Sequence, residues 1–488
     1  MRNNIIGRTE ECDRLERYIC SEQSEFIAVF GRRRIGKTFL VRELFKNRFT
    51  FRLTGKENAN TSDQLKNFQL AMARHFKSDT LPDDWSSAFN MLEQCIEKMK
   101  SGPKILFFDE LPWFDTRGAK FVSALEHFWN DWASYRNDIK LIVCGSATSW
   151  MLSKVINSRG GLHNRITHSI KLAPFSLSET EMYFKAKRFN YSRSEILDTY
   201  MSVGGVAYYL SLFENGKTAI ENIDNLCFNK KGELHDEFQR LFNSLFNKAE
   251  RHIDVIGGLK TKRKGLTRTE ISETTGMLSN GNLTKILKEL EECDFIRSYV
   301  PFGKSRKETL YQLTDPFCHF YLSWIKENRN SGDRFWMTIQ QSNKAEQWHG
   351  YAFEITCLIH LKHIIRGLGI DGTIHKPGCW YYKPTKNALS KEDTDEDLLH
   401  GSQIDLLIDR ADKTVTICEM KYASNEYEIT KEYDNLLQQR IRTFHKATKT
   451  KKSTMTVFVT PNGLLHNQYS YKYPRTITMD TLFENIPL

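Results

Sequence analysis

The sequence predicts an α/β protein: a parallel sheet wrapped by helices, then a helix–turn–helix with a β-hairpin, then a second, smaller α/β unit. Three observations carry that expectation. The apolar run Phe26-Ile-Ala-Val-Phe30 feeds directly into Gly31-Arg32-Arg33-Arg34-Ile35-Gly36-Lys37-Thr38, and a helix-like stretch follows to Phe45. A second apolar run, Ile105 to Phe108, ends in Asp109-Glu110. Far downstream, Asp405 lies inside a strand-like run, and the next strand carries Glu419 and Lys421 two residues apart.

The segment Gly31–Thr38 is a complete G-x-x-x-x-G-K-T between a strand and a helix, the context that a phosphate-cradling loop requires. Gly31 and Gly36 let the backbone curl, so that the N–H groups of Arg32, Arg33, Arg34 and Ile35 point inward. Lys37 is the cation for the β- and γ-phosphates of ATP, Thr38 is a ligand for Mg²⁺, and the helix that follows presents its positive end. An acidic residue at the end of a neighbouring strand completes such a site. Asp109 is assigned to the metal and Glu110 to general base. A third run, Ile139 to Cys144, ends in Gly145-Ser146, which puts Ser146 at a strand tip as a polar sensor of the γ-phosphate or, equally well, as an ordinary turn serine.

Strands expected at 26–30, 49–53, 105–108, 141–144 and 167–172 alternate with helices at 62–76, 86–99 and 119–133. This is the pattern of a doubly wound domain. Further helices at 178–189 and 193–203 close a first domain of residues 1–215 as a helical lid, and Gly204-Gly205 breaks the chain before Tyr208.

Residues 216–334 form the second expected domain, a helical linker and a winged helix. Leu266–Gly276 reads as helix and turn. Asn282–Glu292 reads as a second helix with apolar residues at 283, 286, 287 and 290, and Phe295 to Leu313 reads as a hairpin. In a DNA-binding version Lys285 and Lys288 face the groove, while Lys304, Arg306 and Lys307 ride the wing. The same module also serves as a lid or docking surface in other architectures.

The third expected domain, residues 335–488, carries different chemistry. Strand period two puts Glu419 and Lys421 on one face, close to Asp405 on the neighbouring strand. Asp405 and Glu419 would hold Mg²⁺ or Mn²⁺, Glu354 on an upstream helix would add a ligand, and Lys421 would position or deprotonate the nucleophile. The basic stretch Lys431–Lys452, with Gln438, Gln439, Arg440 and Arg442, suits a phosphate backbone. Lys383–Leu399 reads as a solvated loop.

Composition agrees with a soluble globular chain of several domains: 488 residues, 40% hydrophobic and 27% charged. No apolar run approaches the roughly 18 residues of a membrane span. The first residues lack a signal-peptide core, and ten cysteines without a C-x-x-C pair suit reduced thiols, so a cytoplasmic location is expected. A net charge of +10 suggests a polyanionic partner, with nucleic acid the first candidate and a basic, non-binding surface the alternative; of the nucleic acids, DNA is expected.

The motifs G-R-R-R-I-G-K-T, F-F-D-E-L-P-W at 107–113, C-G-S at 144–146 and V-G-G-V-A-Y at 203–208 resemble those of prokaryotic AAA-type P-loop ATPases, in the branch near the STAND switches. The tail resembles that family's C-terminal domain of unknown function, whose pattern is that of PD-(D/E)xK, restriction-endonuclease-like proteins. The resemblance implies an ATPase coupled to a nuclease-like domain. It also implies a finger or sensor role for Arg165, which in trans would require a homo-oligomer. Asn164 stands where the family usually has Gly, and Gln403-Ile404 precedes Asp405 in place of a proline-containing motif. Two other readings stay open: a nucleotide-gated switch with an inert, binding-only tail, and an ATP-driven remodeller of proteins.

Overall fold

The computed structural model describes residues 4–100, 102–156, 164–246, 248–332, 334–384, 396–398 and 400–486. The expected loop at 383–399 lies mostly outside these residues, as do Gly161, Leu162 and His163 ahead of Arg165. The chain divides into two compact units, one of residues 1–175 with 206–211, the other of residues 176–205 with 212–488.

The first unit is built on a five-stranded sheet of β1 (Glu25–Phe30), β2 (Phe49–Thr54), β3 (Lys104–Asp109), β4 (Ile139–Gly145) and β5 (His168–Lys171). Every pairing is parallel and the spatial order is β2-β3-β4-β1-β5. All residues of β1, β3 and β4 are buried, as expected of parallel strands covered on both faces. Alternation divides them between two cores. Phe26, Ala28, Leu106, Phe108, Leu141 and Val143 join one, with the helices Thr61–Phe76 and Trp85–Glu97. Ile27, Val29, Ile105, Phe107, Ile142 and Cys144 join the other, with the helices Thr9–Ile19 and Lys37–Leu44. Helix starts are set locally: the Asn60 side chain accepts from the Asp63 N–H, and Asp84 with Ser87 forms a capping box.

In the second unit the helices Leu177–Ala186 and Arg193–Val203, expected as the lid of the first domain, are held by the C-terminal part of the chain. The Leu177 N–H donates to His360 Nε2 at 3.0 Å, and Tyr422 Oη donates to Asp198 at 2.8 Å. The helices Arg268–Thr275 and Gly281–Glu292 precede an antiparallel hairpin of β7 (Ile296–Tyr299) and β8 (Leu310–Leu313), and the short strand β6 (Leu266–Thr267) completes a sheet of order β6-β8-β7.

The hairpin loop does not stand free. The Phe302 N–H donates to the Cys379 carbonyl at 2.8 Å, and its ring lies 5.4 Å from that of Phe444, against a core that includes Trp380 and Ile404. Three of the five basic residues expected to meet DNA are also engaged. Lys285 pairs with Glu289, Lys288 with Glu292 and Lys304 with Glu308, each at helical spacing. Exposed pairs of this kind contribute little stability.

A second sheet follows: β9 (His375–Tyr382), β10 (Ser402–Arg410), β11 (Thr414–Met420), β12 (Ser453–Val459) and β13 (Thr476–Ile477), ordered β13-β12-β11-β10-β9. The β9–β10–β11 pairings are antiparallel and the β11–β12–β13 pairings parallel. The helix Lys431–Thr448 is the β11–β12 crossover, as a parallel pair requires. Among the described residues no helix is long and apolar enough to cross a membrane.

Gly31 has φ 140°, and a Cβ there would lie 2.3 Å from the Leu172 carbonyl oxygen. Gly31→Ala is therefore expected to destabilise the protein by roughly 2 kcal/mol or more. Gly281→Ala, in open space at a helix start, serves as the neutral control. Equal denaturant midpoints for the two variants would contradict this reading of the loop.

Candidate functional site

The strand order builds the first candidate site. β4 lies between β1 and β3, so the loop after β1 and the carboxylates ending β3 flank the tip of β4, at the carboxyl edge of the sheet where open α/β folds bind ligands. The loop runs from Gly31 to Gly36, which is the residue capping the helix Lys37–Leu44 and takes φ 92°. Lys37 is buried and its ammonium donates to the Arg32 carbonyl at 2.7 Å. Thr38 Oγ1 donates to Asp109 Oδ1 at 3.0 Å. Glu110 sits in the left-handed region, φ 50°, which turns the chain sharply at the strand end. Its carboxylate accepts from Ser146 Oγ at 2.7 Å and from the Ser146 N–H at 3.3 Å. Ile35 is buried in the core below the loop, and Arg32 is buried too.

The electrostatics suit a cation. Burial, and then the neighbouring Glu110, push the Asp109 carboxyl up to about 6, against the pull of Thr38, the Glu110 N–H and Lys37. Burial together with Asp109 also drives the adjacent Cys144 thiol well above its ordinary value. A hydroxyl and a desolvated carboxylate 3.0 Å apart are a chemically fitting donor set for Mg²⁺.

Two further features of the first unit join distant stretches of the chain. The six residues 206–211 return to the first unit although the chain on both sides belongs to the second. The Tyr208 N–H donates to the Arg34 carbonyl at 3.1 Å, and the Arg34 guanidinium lies 4.3 Å from the Tyr208 ring centre. Arg8, at the start of the N-terminal helix, is buried, donates to the Ala173 carbonyl at 2.6 Å and covers the Phe175 ring at 4.5 Å. Arg165 lies exposed ahead of β5.

The second candidate site lies in the C-terminal sheet. Glu354, on the helix Asn343–Ile359, is pushed up to about 8 by burial and then by Asp405, while Arg263 and Lys421 draw it down. Glu354 is thus near enough to Asp405 on β10 for their charges to oppose each other. Glu419 on β11 is engaged differently: it accepts from Tyr433 Oη at 2.8 Å and is ion-paired with Arg440, and Lys421 Nζ lies 3.9 Å away. Gln403 donates to Asp405 Oδ1. Among the described residues no three His, Cys, Asp or Glu side chains converge as a ready-made metal cluster. Glu354 feels the charge of Asp405, and Glu419 is held by Arg440. The sequence reading had Arg440 on a backbone-gripping helix and did not anticipate its pairing with Glu419.

Residues 5–213 match a family described as an ATPase domain predominantly from Archaea. Over 447 residues, 89% of this chain and 91% of the other, the chain is 24% identical to an uncharacterized protein of Methanocaldococcus jannaschii. It is similar in fold to the Walker-type ATPase of Pyrococcus abyssi, with a TM-score of 0.50 and 19% identity over 66% of this chain and 97% of that one.

Because Asp109 has a folded-state pKa near 6 against an ordinary 3.8, ionising it opposes folding. Stability therefore declines as pH rises from about 4 to about 6 and carries the full cost above that. Asp109→Asn removes the cost, so the ligand-free variant is expected to be more stable than wild type by about 1–2 kcal/mol at pH 8, a gap that closes towards pH 4. Denaturant midpoints at the two pH values test this, and a variant less stable at pH 8 would refute it.

Proposed function

We propose that the chain is an ATP hydrolase joined to a metal-dependent nuclease-like module that acts on nucleic acid, DNA above RNA. The observation that carries the first half is the continuous set of contacts at the sheet edge, from Lys37 and Thr38 through Asp109 to Glu110 and Ser146. The match of residues 5–213 to an ATPase domain supports the same reading. The working division is an ATPase domain at 1–215, a winged-helix domain at 216–334 and a nuclease-like domain at 335–488.

In this reading the loop N–H groups and Lys37 bind the phosphates, and Thr38 with Asp109 would hold Mg²⁺, which when bound neutralises phosphate charge. Glu110 takes the proton of the attacking water. Ser146, already on the Glu110 carboxylate, holds that base in one orientation until a γ-phosphate competes for the hydroxyl. Arg165, exposed on the first unit, is available to a neighbouring copy in a homo-oligomer.

At the C-terminal site Glu354, Asp405 and Glu419 would hold Mg²⁺ or Mn²⁺, whose chemistry there is to activate water and neutralise the scissile phosphate. Like charges on Glu354 and Asp405 support cation binding, and Lys421 is near enough to Glu419 to act on the same phosphate. One observation favours a second reading, a nucleotide-gated switch with a non-cleaving tail: Arg440 and Tyr433 already occupy the Glu419 carboxylate.

Lys37→Ala is expected to abolish ATP hydrolysis, and Glu110→Gln to retain nucleotide binding while slowing turnover by roughly 10²-fold or more. Asp405→Asn and Lys421→Ala are expected to abolish metal-dependent cleavage of plasmid and single-stranded DNA with hydrolysis intact. Cleavage equal to wild type in both would remove the nuclease assignment. Nucleotide-dependent DNA affinity without strand scission in the wild type would establish the switch instead.

A further inference from the structure

The sequence places three consecutive cations at Lys262-Arg263-Lys264, just ahead of β6, and the functional reading above uses none of them. The structure folds them into a tight turn. The Gly265 N–H donates to the Lys262 carbonyl at 2.9 Å; Gly265 takes φ 90°, and a Cβ there would lie 2.2 Å from the Tyr311 carbonyl oxygen. Only glycine fits that position.

The backbone of the turn is clamped from outside. The Arg263 carbonyl accepts from Gln312 Nε2 at 2.6 Å and from Tyr351 Oη at 3.1 Å. Gln312 is itself fixed, because its Oε1 accepts from Arg297 Nε at 2.8 Å. The Lys264 carbonyl accepts from Tyr299 Oη. The β7–β8 hairpin thus supplies three of the side chains that hold this turn in place. Such a clamp matters if the side chain it carries must point at something fixed.

The three cations have different outlets. Lys262 pairs with Glu270 at 2.6 Å, and the Lys264 ammonium lies 3.7 Å from the Tyr381 ring centre. Arg263 is half exposed; Nη1 lies 3.7 Å from Glu354 Oε1, Nη2 reaches the Gln347 carbonyl at 3.5 Å, and its Cζ sits 5.4 Å from the Tyr351 ring centre. These are long contacts for a planar fork with five N–H donors. They leave it both beside Glu354 and open to solvent.

We infer that Arg263 is a phosphate-contacting residue of the C-terminal site. It is delivered there by the hairpin module, and it takes a non-bridging oxygen of a polynucleotide phosphodiester beside Glu354 and Asp405. This rests on the nuclease-like reading of that site and deepens it: the module preceding the second α/β unit supplies part of its substrate surface. A guanidinium suits this role better than an ammonium, since it can keep Glu354 on one edge and present the other to phosphate.

The test compares wild type, Arg263→Ala, Arg263→Lys, Asp405→Asn and the control Lys262→Ala in the full chain. Binding to a short DNA duplex and to its single strand is measured in Ca²⁺ across a salt series, and cleavage is measured in Mg²⁺ and Mn²⁺. Arg263→Ala is expected to weaken binding roughly tenfold and to lower the salt slope by about one phosphate contact, with Lys recovering part of the affinity and Lys262→Ala near wild type. Loss of a merely structural arginine would not change the salt slope selectively. If wild type cleaves, Asp405→Asn does not and Arg263→Ala matches wild type in binding and cleavage, the Arg263 inference falls and the nuclease reading stands. If wild type binds but never cleaves, the nuclease reading falls, while a reduced salt slope in Arg263→Ala still upholds the phosphate contact. Wild type that neither binds nor cleaves overturns both.

Discussion

Two carboxylates brought together in a desolvated place resist ionising together, and both candidate sites of this chain are built on that resistance. At the end of β3, Asp109 and Glu110 are adjacent in sequence, and burial keeps Asp109 partly protonated near neutral pH in the absence of a cation. At the C-terminal sheet, Glu354 and Asp405 come from elements far apart in the chain and meet with the same result, a Glu354 carboxyl raised to about 8. A divalent cation relieves such a cost directly, as does a proton or an arginine. Locally the chain uses hydrogen bonds at one site and cations at the other: Thr38 and the Glu110 N–H stabilise Asp109, while Arg263 and Lys421 draw Glu354 down.

The fold explains why the first of these arrangements is rigid. The β1, β3 and β4 strands are buried on both faces, so their ends cannot shift relative to one another without disturbing two cores. The loop of Gly31–Gly36, the carboxylates of Asp109 and Glu110, and Ser146 are therefore held by packing that has nothing to do with their polarity. Their own hydrogen bonds need only choose among rotamers. The Ser146–Glu110 contact is such a choice, since a serine hydroxyl can turn to another acceptor at little cost.

Much of this was legible in the sequence because it is local. The loop motif, the strand runs and the acids at their ends lie within a few residues of one another, and strand period two needs no knowledge of partners. The five parallel strands lie where the apolar runs put them. What escaped was non-local. Arg8 meets Ala173 across 165 positions, and residues 176–205 fall in the second unit while 206–211 stay with the first. The helices Leu177–Ala186 and Arg193–Val203 read as a lid because they follow the sheet in sequence, yet His360 and Tyr422 hold them in the second unit. Arg440 carries no sign that it faces Glu419, because a basic residue on an amphipathic helix looks the same whether it meets solvent, phosphate or a buried acid.

The hairpin shows how one pattern supports opposite uses. Basic residues on a loop between two short strands suggest a wing entering a groove, but the apolar residue in that loop is committed to the C-terminal sheet. Phe302 is large, its N–H is committed to the Cys379 carbonyl, and its ring packs beside Phe444. Withdrawing it would break a backbone hydrogen bond and expose an aromatic face, a cost of roughly 2–3 kcal/mol before any gain from DNA. The hairpin is tied down at its loop, and what its strands hold is informative. Tyr299 and Gln312 donate to the carbonyls of Lys264 and Arg263, and Arg297 fixes Gln312, so the hairpin holds the backbone that carries the Arg263 guanidinium.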